Sequence, residues 1–297
     1  MRRLAIASGL LVCVAAFLAA TTAPTSPTPL DTTGRTQADY NEQITTIKQQ
    51  LPDTFTILQQ PPFIVCGDDT PRRVKYYSEQ TVAWAVKTLK NEYFEKDPTD
   101  LITIYLFKDE ASYKKYTKQL FDEEPSTPYG YYSPTDKALI MNISTGGGTL
   151  VHEIVHPFVA ANFPKCPAWF NEGLGSLYEQ SGAKDGRIVG YTNWRLPALQ
   201  KALKAATVPS FEKFCATTDN DFYTKDRGTN YGQARYLCYY LQEKGLLQNF
   251  YKAFLKNHEK DPTGYETLKS TLNEKDMPAF QKRWTDFTLA LRYPDVH

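Results

Sequence analysis

The chain changes character at Gly146-Gly147-Gly148, and no other feature constrains its fold as much. Before the triplet, runs rich in β-branched and aromatic residues alternate with amphipathic helical stretches. After it, nearly every segment carries helical periodicity. Upstream, residues 38–51 read as a short helix, and 55–58 and 63–65 as strands separated by Pro61-Pro62. Val74, Tyr77, Val82, Ala85, Leu89 and Tyr93 fall on one face of a long helix that Asp97-Pro98 ends. Residues 101–107 form the clearest strand, and Asp109 caps a helix reaching about Leu120. Residues 129–132 and 138–143 read as a strand pair around the turn Ser133-Pro134-Thr135-Asp136. Downstream, breaks at 164–167, 182–190, Pro209 and Gly228 separate helices, the longer ones at 233–244, 246–257 and 277–292. The expected fold is α+β: a small mixed β-sheet with helices (38–148), followed by a mainly helical half (149–297). The glycine triplet lacks the Lys-Ser/Thr of a phosphate-binding loop and reads as a flexible strand-to-helix link.

The N-terminus reads as an address. Met1-Arg2-Arg3 is basic, residues 4–20 are apolar and uncharged, and small residues follow at Ala19, Ala20 and Ala23. This is the layout of a secretory signal peptide over 1–23, with a retained membrane anchor as the alternative. Residues 24–37, with Pro24, Pro27 and Pro29 among Thr and Ser, read as an extended linker. The expected location is therefore secreted or in the cell envelope. With 34 Lys+Arg against 33 Asp+Glu there is no electrostatic case for nucleic acid. Cys66, Cys166, Cys215 and Cys238 remain after signal removal. Cys166 and Cys215 stand in loop-like contexts and are the favoured disulfide pair, whereas Cys238 sits in an apolar helical pattern suited to a buried thiol.

Two of the chain's four histidines stand in Thr149-Leu150-Val151-His152-Glu153-Ile154-Val155-His156. At i and i+4 on a helix they project side by side, a spacing that lets both imidazoles reach one tetrahedral zinc ion. A catalytic site needs a third ligand and an open position. Glu172 follows His156 after 15 intervening residues, in Pro167-Ala168-Trp169-Phe170-Asn171-Glu172-Gly173. Pro164 and Pro167 break the first helix, and a second one starting near Trp169 or Asn171 swings Glu172 back, placing it in a first turn favoured by the helix dipole. Glu179, seven residues on, is a candidate for orienting a ligand histidine, for binding a substrate amine, or for a solvated face. Strand 138–143 is read as either a sheet edge that pairs with an extended peptide or an ordinary core strand. Tyr129, Tyr131 and Tyr132 either line a groove or pack.

His152-Glu153-x-x-His156 followed by Trp169-Phe170-Asn171-Glu172-Gly173-Leu174-Gly175-Ser176-Leu177-Tyr178-Glu179 resembles the gluzincin metallopeptidases. It is most similar to peptidase-MA-like exported bacterial proteins and, more distantly, to aminopeptidases with a Trp-x-Asn-Glu-Gly-Phe-Ala pattern. The resemblance spans about residues 54–257 and includes Asn230-Tyr231-Gly232-Gln233-Ala234. It implies a zincin-like architecture, zinc held by His152, His156 and Glu172, Glu153 as general base, and a peptide or protein substrate. Tyr231 is implied as the hydroxyl that stabilises the oxyanion. The sequence departs from the thermolysin-like pattern in its shorter spacer between His156 and Glu172. It also departs in Pro157, which is expected to distort the helix beside His156. Both departures leave a catalytically degenerate binding module as the alternative to an enzyme.

Overall fold

A computed structural model describes residues 30–293; the signal-peptide segment lies outside the described residues. The chain is mixed α+β. Helix α1 (Gln37–Gln50) precedes the hairpin β1 (Thr56–Gln60) and β2 (Phe63–Gly67). A helical rod follows, made of α2 (Pro71–Tyr76), a π-helical segment (Tyr77–Val82) and α3 (Ala83–Glu92). Strand β3 (Ile102–Phe107), helix α4 (Glu110–Phe121) and the hairpin β4 (Gly130–Ser133) and β5 (Ala138–Asn142) complete the first half. The sheet order is β1-β2-β3-β5-β4. The β2–β3 and β3–β5 pairs are parallel, and both hairpins are antiparallel.

The inner strands β2, β3 and β5 are buried throughout because both sheet faces are covered. Alternation sorts their side chains. Ile64, Cys66, Tyr105, Phe107 and Ile140 face a cluster with Tyr40 and Ile47 of α1 and Tyr113 of α4. Phe63, Val65, Ile104, Leu106, Leu139 and Met141 face the main core, shared with the helical half. The stretch read as 138–143 is therefore an interior strand, β5 (Ala138–Asn142), and the sheet edge on this side is β4. That edge is covered locally. The Thr127 hydroxyl accepts the Gly130 N–H at 3.1 Å and donates to the Gly130 carbonyl at 3.0 Å.

The helical half comprises α5 (Gly148–Asn162), α6 (Ala168–Leu177), α7 (Leu196–Lys204), α8 (Phe211–Cys215), α9 (Asp219–Thr224), α10 (Arg227–Glu243), α11 (Leu247–Asn257), α12 (Tyr265–Leu272) and α13 (Met277–Ala290). The break expected over 182–190 is a second small sheet, β6 (Ser181–Lys184) paired with β7 (Arg187–Gly190). Asp185 (φ 52°) and Gly186 (φ 76°) form its turn, where Asp-Gly supplies the two positive φ values that a tight hairpin requires. Helix α10 starts at Arg227, so Gly228 lies inside it rather than marking a break.

Two further expectations are corrected. Cys66, Cys166, Cys215 and Cys238 are all free thiols, and Cys166 does not pair with Cys215. Cys66, Cys215 and Cys238 are buried as small apolar side chains, and burial pushes all four thiols up. Residues 30–36, within the stretch read as a linker, are fastened to the body. The Thr32 N–H donates to Asp97 at 2.8 Å, and Asp31 accepts from Arg35 and Tyr40.

Candidate metal centre

Helix α5 begins at Gly148 and carries His152, Glu153 and His156 on successive turns; their imidazole rings are 4.9 Å apart. Pro157 is buried within α5 and does not interrupt it, so the distortion expected beside His156 does not break the helix. Proline has no N–H, so residue 157 cannot donate to the carbonyl of residue 153.

Helix α6 starts at Ala168, after the Pro164–Pro167 segment, and turns Glu172 toward α5. Glu172 is its fifth residue, beyond the first turn, so the proposed favour of the helix dipole does not apply. Close approach of α5 and α6 depends on Gly175, where a Cβ would meet the His152 ring at 3.2 Å. On its other side α6 lies against α10, where a Cβ on Gly173 would meet Cys238 Sγ at 2.9 Å. The Glu172-Gly173-Leu174-Gly175 run thus lets one thin helix touch both neighbours.

The acceptor of this convergence is one carboxylate oxygen. Glu172 Oε2 lies 3.1 Å from His152 Nε2 and 3.8 Å from His156 Nε2. Two atoms bound at about 2.0–2.1 Å to one tetrahedral ion lie about 3.3–3.4 Å apart, a value between these separations. The other ring nitrogens are held from behind. His156 Nδ1 is 3.0 Å from Asn171 Oδ1, and His152 Nδ1 is 3.2 Å from Glu179 Oε1. The latter approach is too oblique for a hydrogen bond and leaves this buried nitrogen poised beside a carboxylate. With the proton on Nδ1, facing Asn171 in His156 and Glu179 in His152, each ring would leave its Nε2 lone pair for a metal ion. One atom each of His152, Glu153 and His156 also lies within 4.8 Å of the others. The donor set, two imidazoles and carboxylate oxygens, suits a borderline divalent cation such as zinc.

Glu179 is buried, not solvated. It follows the C-terminal end of α6 and accepts from Asn193 Nδ2 at 2.9 Å and Arg195 Nε at 2.8 Å. Tyr223, unforeseen from the sequence, donates its hydroxyl to Glu172 Oε1 at 2.8 Å. Asn171, Asn193 and Arg195 were likewise not singled out. Only Asn171, next to Glu172 in the sequence, offered a local hint.

Burial opposes the charged forms of His152, Glu172 and Glu179 and is outweighed. For His152 it works against the imidazolium, but the contacts with Glu172 and Glu179 push it up to about 10. Burial would raise Glu172, yet the His156 charge and the bonds from His152 and Tyr223 bring it down to about 2. Glu179 is held at about 2, against burial, by Arg195 and His152. Glu153 differs: burial pushes it up despite the nearby histidines, and its Oε2 accepts the Tyr132 N–H of β4 at 3.0 Å.

Two overlapping cavities of about 430 and 410 Å³ meet at His152, Glu153 and Tyr231. Tyr131 and Tyr132 line the first, and Tyr129 the second, so these tyrosines border a groove. Tyr231 is nearly buried. The Arg195 and Arg227 guanidiniums stand 4.9 and 5.6 Å from its ring centre, and burial with the Glu172 charge pushes its hydroxyl up. Of the other histidines, His258 holds the Leu255 carbonyl through Nδ1 and packs on Phe163, away from the cleft. No helix among the described residues is long and apolar enough to cross a membrane. Compared with known proteins, the sequence matches no family model and has no significant similarity to any curated protein.

Proposed function

We propose that the chain is an exported zinc-dependent metallopeptidase of gluzincin type, hydrolysing peptide bonds with Glu153 as general base. The observation that carries this reading is the approach of His152 Nε2 and His156 Nε2 to Glu172 Oε2. His152, His156 and Glu172 would hold the ion. Zinc bound there would supply Lewis acidity toward water and toward the scissile carbonyl. Glu153, in the wall of both cavities, takes the proton of the attacking water and passes it to the leaving amine. Asn171 beside His156 Nδ1 and Glu179 beside His152 Nδ1 favour the tautomer that turns Nε2 to the ion. Tyr231 faces both cavities and donates to the oxyanion. An extended peptide pairing with β4 replaces the Thr127 contacts to Gly130. The continuity of α5 through Pro157 supports an enzyme over a catalytically degenerate binding module.

Metal analysis of the purified protein, with mass-spectrometric digestion of a peptide library by wild type and Glu153→Gln, tests the reading. One zinc per chain and cleavage by wild type alone are expected. One zinc without cleavage selects the binding module, and no metal removes the enzyme reading.

A further inference from the structure

The charges in the cleft leave one group without a counterpart. Glu172 is engaged by His152 and Tyr223, Glu179 by Arg195 and Asn193, and Glu153 by the Tyr132 N–H. Arg195, in turn, is committed to Glu179. Arg227 is the remaining cation. It lies in the wall of both cavities and is exposed, and among the described residues it forms no ion pair, unlike Arg35, Arg73, Arg187, Arg195 and Arg283.

Arg227 is nevertheless directed. Its guanidinium stands 5.6 Å from the centre of the Tyr231 ring, within cation–π range, so the side chain is held against the cleft wall. Beside it the wall is open: a Cβ on Gly228, which also lines the second cavity, would meet nothing within 4 Å. A planar guanidinium fork matches a carboxylate, with two parallel charge-assisted hydrogen bonds.

We propose that Arg227 is a specificity residue that binds a substrate carboxylate close to the scissile bond, so that acidic peptides are the preferred substrates. The scissile bond rests on the peptidase reading, and the recognition rests on Arg227 itself. Two sources supply such a carboxylate: an Asp or Glu side chain, or the C-terminus of the peptide.

The test uses four fluorescein-labelled octapeptide pools, rich either in Asp/Glu or in Asn/Gln, each with a free or an amidated C-terminus. Binding to the zinc-loaded Glu153→Gln chain is followed by anisotropy, and cleavage by the zinc-loaded wild-type chain by mass spectrometry. Each is repeated with Arg227→Ala and Arg227→Lys added. Losing a hydrogen-bonded carboxylate–arginine contact is expected to weaken binding of the carboxylate pool by about 10- to 150-fold, with amide pools unchanged. Arg227→Lys recovers part of the loss. Preference that follows the side-chain pools assigns internal acids; preference that follows the free C-terminus assigns terminal recognition. Equal binding of acidic and amide pools by the Arg227-containing chain overturns the proposal, as does a preference that survives Arg227→Ala. Cleavage without preference leaves the peptidase standing and removes the subsite. Preference without cleavage does the reverse.

Discussion

Replacing Gly148 by alanine separates a flexible link from a packed one. The three glycines at the start of α5 meet different surroundings. A Cβ on Gly148 would overlap the Glu179 carbonyl oxygen, and the other near atoms are also Glu179 backbone. Backbone cannot rotate out of the way as a side chain can. Overpacking costs about 1–3 kcal/mol, and Gly148→Ala belongs at about 3 kcal/mol. Gly147 has φ −80°, and the nearest atoms to its Cβ, on Tyr77 and Thr81, are 3.6 and 3.7 Å away, an ordinary contact. There the weaker capping by alanine and the reduced freedom of the unfolded chain offset each other, leaving a change of about 0.5 kcal/mol or less. Gly146 has open space but φ +105°, a strained conformation for alanine costing about 1–3 kcal/mol. Urea unfolding followed by tryptophan fluorescence reads these differences. At a slope of about 2–3 kcal/mol/M, Gly148→Ala shifts the midpoint down by about 1 M. It also displaces Glu179 from His152, so zinc affinity falls together with stability. A Gly148→Ala midpoint equal to that of Gly147→Ala would refute the packing described for this turn.

Other expectations follow from single contacts. Asn171→Ala frees His156 Nδ1, and Glu179→Gln removes the charge beside His152 Nδ1; each lowers zinc affinity about 10- to 100-fold in competition with a chromogenic chelator. Glu153→Gln keeps the metal and loses about 10²–10⁴-fold in peptide cleavage, measured on any substrate the library yields. Tyr231→Phe lowers kcat about 10²- to 10³-fold if its hydroxyl serves the oxyanion, whereas Tyr223→Phe chiefly weakens zinc binding through Glu172; the opposite pattern exchanges the two roles. Asp31 is opposed by burial, but bonds from Thr33, Arg35 and Tyr40 lower its carboxyl from 3.8 to about 2. Its folded value is depressed, so its stabilisation is present above pH 3.8 and is lost as pH falls through about 2. After allowance for solvent screening, Asp31→Asn costs about 1–2 kcal/mol at pH 7, and a urea midpoint unchanged from wild type at that pH contradicts this.

The chemistry-bearing spacing was legible because it is local. His152 and His156 meet through the repeat of one helix, and Pro164–Pro167 announces the turn that returns Glu172. Residues 63–65 and 101–107 were likewise legible as strands, seen as β2 (Phe63–Gly67) and β3 (Ile102–Phe107), whereas their burial on both faces was not. What stayed hidden depends on distance along the chain. Tyr223 reaches Glu172 across 51 residues and Arg195 reaches Glu179 across 16, and neither contact carries a periodic signal. Strand order is similarly silent: a β4–β5 hairpin can attach to β3 by either member, and here the more apolar one lies inside. The β6–β7 hairpin was missed because Ser181-Gly182-Ala183-Lys184 has little strand character, although Asp185-Gly186 carried the turn signal.

X-ray absorption at the zinc edge of the purified, metal-loaded chain tests the central claim most directly. The predicted spectrum has a nitrogen and oxygen shell at about 2.0–2.1 Å with the outer-shell scattering of two imidazoles, altered in Glu172→Gln. A sulfur shell at about 2.3 Å, or a spectrum unchanged by loss of His152 and His156, would contradict it.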